Sequence, residues 1–389
     1  MAKGEPNSAE VDKWLKLIRA DGVGPVTFAR LLERFGSADR TLGASVGELA
    51  KVDGIGLRTA ERIAATRNKF DASAEINLAA RLGVFLLTLQ DPRYPPVLKR
   101  IHDPPPVLYV KGSLTRDDNL AISIVGSRRC STYGREQSGR LAHMLASAGF
   151  TICSGMARGI DTEAHNGALA ARGRTIAVQG CGLANIFPPE NKRLFELICE
   201  SGACISELPL GYEPLAENFP PRNRIIAGLS LGTIVVEAGL RSGALITAAA
   251  ALDYNRDVMA VPGKIDSPLA RGSNRLIKQG AKLIESVEDV IEALGYVGEQ
   301  LREHVATAAQ NAAQKVEMPL FDVGKLKLSP DERKIHDVLT KEPTHIDQII
   351  ADTQLPPGAV NAALISLRLK ALIKQLPGSH FCRNTGNPS

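Results

Sequence analysis

Residues 120–129 read LAISIVGSRR, a mostly apolar run of six that passes directly into Gly126-Ser-Arg-Arg129. A short apolar run closed by glycine fits a strand buried on both faces, because a half-exposed strand would alternate with polar residues. Similar runs recur at 151–153, 175–178, 203–205, 233–236 and 258–261, and helical patterns separate them. Strands that alternate with helices imply an α/β protein, a doubly wound parallel sheet with helices on both faces. This core is expected over 86–295. Its entrance, DPRYPPVLKRIHDPPPVLYVKG at 91–112, is too rich in proline for a helix and is expected to be an ordered connector.

In an open parallel sheet the loops that follow the strands share the carboxyl edge, where ligands bind. Here those loops carry Gly126-Ser-Arg-Arg129, Ser154-Gly-Met-Ala-Arg-Gly-Ile-Asp161, Phe219-Pro-Pro-Arg-Asn-Arg224, Gly239-Leu-Arg-Ser-Gly243 and Pro262-Gly-Lys264. A helix N-terminus is already partly positive, so arginine placed there is unfavourable unless an anion shares the site. Glycine lets backbone N–H groups approach phosphate oxygens, and arginine grips them with two nitrogens. A polyanion is therefore expected on Gly126, Ser127, Arg128, Arg129, Gly155, Arg158, Arg222, Arg224, Arg241 and Lys264. The competing reading pairs these arginines with Asp161, Glu163, Glu207 or Glu237.

The first loop has one glycine where a dinucleotide fingerprint needs G-x-G-x-x-G, which argues against an NAD enzyme. Catalytic groups are sparse. His143 and His165 fall in helical patterns, Ser154 has no evident His–Asp partners, and His165, four residues after Asp161, is expected to tie down its loop. At Pro188-Pro-Glu-Asn-Lys-Arg-Leu-Phe195, the spacing puts Lys192 and Phe195 on one side of a helix. A cation beside an aromatic plane suits a single strand with unstacked bases; core packing of Phe195 is the alternative.

Flanking segments differ in character. Gly22-Val-Gly-Pro-Val-Thr27 and Gly54-Ile-Gly-Leu-Arg-Thr59 repeat at an offset of 32. Each copy leads into a helical pattern, so residues 1–85 are expected to form a helical domain with two helix-hairpin-helix-like turns, which either hold phosphate or serve as plain structural modules. Residues 296–327 are expected to be linker. Over 328–383, apolar periodicity through Ile335, Leu339, Ile349, Val360, Leu364 and Leu367 precedes two short strands around Pro377-Gly378, the pattern of a winged helix-turn-helix. No acid follows Asp352, while Arg368, Lys370, Lys374 and Arg383 fall in the second helix and the wing. Weak duplex contact is the expectation there, with a small protein-contact module as the alternative.

The whole chain, 389 residues with 44% hydrophobic and 23% charged, has globular composition and room for two or three domains. No segment has the roughly 18–20 apolar residues of a membrane span, and residues 1–10 have no signal-peptide core, so the cytoplasm is expected. Six cysteines without a C-x-x-C pair suggest thiols and no metal site, and no cofactor is expected. A net charge of +5 is mild, so nucleic-acid contact must come from local placement of cations.

Taken together, Ile124-Val-Gly-Ser-Arg128, Ser154-Gly-Met-Ala-Arg-Gly-Ile-Asp161 with Ala164-His165, Phe219-Pro-Pro-Arg-Asn-Arg-Ile-Ile226, Val236-Glu-Ala238 with Ser242-Gly-Ala-Leu-Ile-Thr-Ala248, and Val261-Pro-Gly263 resemble the bacterial DNA-processing proteins of the DprA (Smf) family. The resemblance implies an extended Rossmann-like core that binds single-stranded DNA, forms a homodimer, and helps load the recombinase RecA during natural transformation, without catalysis. It implies that Gly126, Ser127 and Arg128 hold the DNA backbone beside Lys192 and Phe195. The main alternative is an enzyme. Nucleoside-monophosphate phosphoribohydrolases share the extended Rossmann class and use a Gly-rich loop with a glutamate, but here Glu237 precedes the glycines and the order P-G-G-x-G-T-x-x-E is absent. A transcription regulator built on the tail is a third reading, disfavoured because most basic loops lie in the core.

Overall fold

The computed structural model describes residues 8–295, 329–340, 342–369, 372–376 and 380–383, so the expected linker lies outside the described residues. Nine strands make one sheet: β1 (Val84–Thr88), β2 (Val107–Gly112), β3 (Ala121–Val125), β4 (Thr151–Ser154), β5 (Thr175–Val178), β6 (Ala203–Ser206), β7 (Gly232–Val235), β8 (Asp257–Ala260) and β9 (Lys282–Leu283). Their order is β1-β2-β6-β5-β4-β3-β7-β8-β9. Strands β3 to β9 run parallel, and the six expected strands are β3 to β8.

The sheet is nevertheless mixed. β2 lies antiparallel to both β1 and β6 and occupies the end of the expected connector, which also holds a helical turn at Pro96–Lys99. Pro104, Pro105 and Pro106 stop just before Val107, so every backbone N–H that the ladder needs is still present.

Helices α1 (Ser8–Ile18), α2 (Pro25–Phe35), α3 (Ala38–Gly43), α4 (Val46–Leu49), α5 (Leu57–Thr66) and α6 (Ala72–Leu82) precede the sheet. The repeated glycines Gly22 and Gly54 adopt φ of 89° and 75°, left-handed turns that launch α2 and α5. The Trp14 and Phe28 rings meet at a tilt, 4.9 Å between centroids, and this apolar cluster continues into Val107 and Tyr109 of β2 and Cys204 of β6. The helical segment therefore shares its core with the sheet.

The sheet is covered by α7 (Pro96–Lys99), α8 (Thr132–Ser147), α9 (Ile160–Ala170), α10 (Lys192–Ser201), α11 (Phe219–Leu229), α12 (Ala244–Asp253), α13 (Arg271–Lys278) and α14 (Val287–Ala293). Alternation along β3 feeds both layers. Ile122 and Ile124 join Leu141 and Leu145 of α8 and Ala164 of α9, while Ala121 and Val125 join Ile225 of α11 and Ala248 of α12. Because β4 lies on one side of β3 and β7 on the other, strand order reverses at β3 and opens a crevice at its carboxyl end. No described helix is long and apolar enough to cross a membrane.

The described residues from 329 onward form a separate compact unit. Helices at Pro330–Val338, Ile346–Thr353 and Pro357–Leu369 enclose Ile335, Leu339, Ile349, Leu364 and Leu367 against a small antiparallel sheet, β10 (Thr344–His345), β12 (His380–Arg383) and β11 (Ile373–Leu376), in that order. This is the expected winged helix. One of its cations is less free than its position suggests: Arg383 donates to the His336 carbonyl at 2.8 Å and the Asp337 carbonyl at 3.3 Å. Lys370 and the side chains of Arg368 and Lys374 lie outside the described residues.

Candidate nucleic-acid interface

At the end of β3 the chain must pass between two neighbouring loops, and Gly126 makes that possible. A Cβ there would stand 2.8 Å from Ile160 Cβ and 2.9 Å from the Glu237 carbonyl oxygen. The Ser127 N–H donates to the Glu237 carbonyl (2.7 Å), and the Ser127 carbonyl accepts from the Ile160 N–H (3.3 Å). With its backbone pinned, the loop holds Arg128 and Arg129 out into solvent.

The anion expected at the start of α8 is partly supplied by the protein itself. Ser131 caps that helix, accepting from the Gly134 N–H at 3.1 Å, and the buried Glu237 carboxylate accepts from the Ser131 N–H (2.7 Å) and hydroxyl (2.8 Å).

The loop after β4 is stapled by Asp161, whose carboxylate accepts from the Gly155 (3.1 Å) and Ala157 (3.4 Å) N–H groups. Burial pushes Asp161 up to about 6, against the pull of Arg222 and these hydrogen bonds. Arg222 is buried in turn, donating to the carbonyls of Gly155 (2.8 Å) and Val178, and burial pushes it down to about 10. His165 plays its supporting part elsewhere than expected: its Nδ1 lies 2.7 Å from the Thr175 hydroxyl, not on Asp161. Burial pushes His165 down to about 3.

Between these loops lies a cleft of 590 Å³ lined by Gly126, Ser127, Arg128, Arg129, Arg222 and Arg241 together with Phe219. The Arg128 guanidinium carbon is 5.0 Å from the Phe219 ring centroid and that of Arg222 is 5.7 Å away. Gly155 and Arg158 border an adjoining recess, where Arg158 is forked onto Glu190 with both side chains exposed.

Four expected residues are brought neither to this cleft nor to the recess. Lys264 lines a neighbouring cavity. Lys192 is exposed on α10, but Phe195 is only 2% exposed and packs in the core with Ile198 and Tyr109, so the two do not form a platform. Arg224 is committed to Asp103 (3.3 Å) and Glu207 (2.5 Å), with only 13% of its side chain exposed. Both corrections have one cause: spacing along a helix gives relative direction, whereas burial depends on what lies opposite. The aromatic that does meet the cations, Phe219, was signalled by its place three residues before Arg222 at a helix start.

Comparison with known proteins agrees with this architecture. Residues 85–295 match the family described as DNA recombination-mediator protein A, residues 8–67 a DprA-like N-terminal HHH domain, and residues 323–379 a DprA winged helix domain. Protein Smf of Synechocystis sp. is 37% identical over 398 residues, covering 97% of this chain and 99% of that protein. The DNA processing protein DprA of Streptococcus pneumoniae is 44% identical over 204 residues, 52% of this chain and 72% of its own length. The X-ray structure of DNA processing protein A from the same species superposes with a TM-score of 0.63 at 36% identity, over 74% of this chain and 98% of that one. The core, the N-terminal helices and the winged helix each match a module of one family, and the chain is a member of the DprA (Smf) family of DNA-processing, recombination-mediator proteins.

Proposed function

We propose that the cleft holds the sugar–phosphate backbone of single-stranded DNA, and that two copies of the chain act as a dimer that passes the strand to RecA during natural transformation. The observation that carries this proposal is the convergence of the exposed Arg128, Arg129 and Arg241 with Phe219 on one cleft at the strand-order reversal, where the buried Arg222 braces the loop behind the ring. A polyanion with unstacked bases needs both elements, cations for the backbone and an aromatic face for a base. Glu237, on which the phosphoribohydrolase alternative depends, is buried with both carboxylate oxygens engaged by Ser131, which favours a binding role.

Titrating the full chain with single- and double-stranded DNA at several salt concentrations, with and without RecA, tests the proposal. Arg128→Ala and Arg241→Ala should each weaken single-strand binding and lower the salt slope by roughly 0.7 per lost phosphate contact. Unchanged affinity and slope in both, with native circular dichroism, would remove the cleft from consideration. Release of base from nucleoside monophosphates would favour the enzyme instead.

A further inference from the structure

Beside the cleft is a second cavity, of 520 Å³, lined by Ser131, Tyr133, Glu237, Pro262, Lys264 and Ala270 among others. It opens among the chain segments that follow β3, β7 and β8, on the same carboxyl edge as the cleft. Ser127 lines the cleft, Glu237 lines the cavity, and the hydrogen bond between their backbones at 2.7 Å joins the two walls.

Two features define what the cavity accepts. Tyr133 is 45% exposed, and its ring is held in place by its hydroxyl, which donates to the Pro262 carbonyl at 3.1 Å. It offers an aromatic face whose orientation is fixed in advance. Glu237 is 5% exposed, and its carboxylate uses one lone pair on each oxygen for Ser131, which leaves acceptor capacity and no donor. Lys264 is exposed at the same site, and Ile265, next in sequence, is 94% exposed.

We propose that this cavity takes an unstacked nucleobase of the strand whose backbone lies in the cleft, and that it favours bases with an exocyclic amino group over thymine. The base stacks on Tyr133 and its amino group donates to Glu237; Lys264 neutralises the neighbouring phosphate. Carboxylates accept from the N4 amino group of cytosine, whereas thymine flanks its single N–H with two carbonyl oxygens that the carboxylate repels. This inference rests on the single-strand function proposed above.

The test uses the full chain and labelled oligo(dC) and oligo(dT) of equal length, read by fluorescence anisotropy. The wild type should prefer oligo(dC). Tyr133→Ala should weaken oligo(dC) binding roughly 5- to 100-fold without changing the salt slope, because a stacked base is lost and no phosphate contact is. Glu237→Gln should bring the ratio of the two affinities toward one, a quantity unaffected by the fraction of protein folded. Photocrosslinking of wild-type protein to oligonucleotide carrying 5-iodocytosine should label the Tyr133 peptide. Natively folded Tyr133→Ala protein that binds oligo(dC) like the wild type, or a crosslink that maps away from Tyr133, would overturn the proposal. A wild type that binds no single strand at any salt would overturn the proposed function itself.

Discussion

Replacing Phe219 by alanine removes the ring against which both Arg128 and Arg222 lie. Single-strand binding should weaken by about 1–3 kcal/mol with an unchanged salt slope, as expected for a lost stacking surface. Phe195→Ala should do the reverse: a melting curve should report a loss of about 3–5 kcal/mol, and DNA affinity per folded molecule should be unchanged. Asp161 gives the site a pH dependence of definite sign. Its folded value, about 6, is above the ordinary 3.8, so between these values the folded state holds more protons than the unfolded chain. This group therefore adds stability as pH falls from about 6 toward about 4, and that contribution is lost as pH rises through about 6. Protonation also removes a negative charge from the cleft, so single-strand affinity should rise on acidification from pH 7 to pH 5. Asp161→Asn should bind at pH 7 as the wild type does at pH 5. If binding to Asp161→Asn protein still tightens with acid to the wild-type extent, another group is responsible.

Among the elements, those read most easily from sequence are the ones whose two faces are both buried. The run 121–125 can be nothing but a central strand, because its alternate residues feed apolar layers on both sides of the sheet. Gly126 follows the same logic: Gly126→Ala would press a Cβ on Ile160 and the Glu237 carbonyl, and should lower both the melting temperature and single-strand affinity, measured by calorimetry and titration. β2 was obscured by its prolines, which end one residue before the ladder begins. The Lys192–Phe195 pair was misread because residues three apart on a helix are about 60° apart in direction. On α10 the margin of the buried face falls between them, and no local pattern reveals that Tyr109 and Cys204 wait on the inner side. For Arg224 the competing reading, an ion pair with Glu207, is the one the structure shows, and Asp103, distant in sequence, is the partner that no local pattern reveals.

On the scale of the whole chain, the winged helix is a compact unit with its own core. Deleting residues 325–389 should leave single-strand affinity within a few-fold while reducing binding to duplex or to single–double junctions, as a gel-shift comparison would read. Loss of single-strand binding from a truncated protein that remains folded would move the tail into the primary site. The N-terminal helices are in the opposite position. Trp14, Phe28 and Leu31 are buried in one apolar body with Tyr109 and Phe195, so removing residues 1–83 would lay a greasy wall of β2, β6 and α10 open to water. This segment is therefore no detachable cassette: a chain without it needs polar side chains along that wall, or another protein to shelter it.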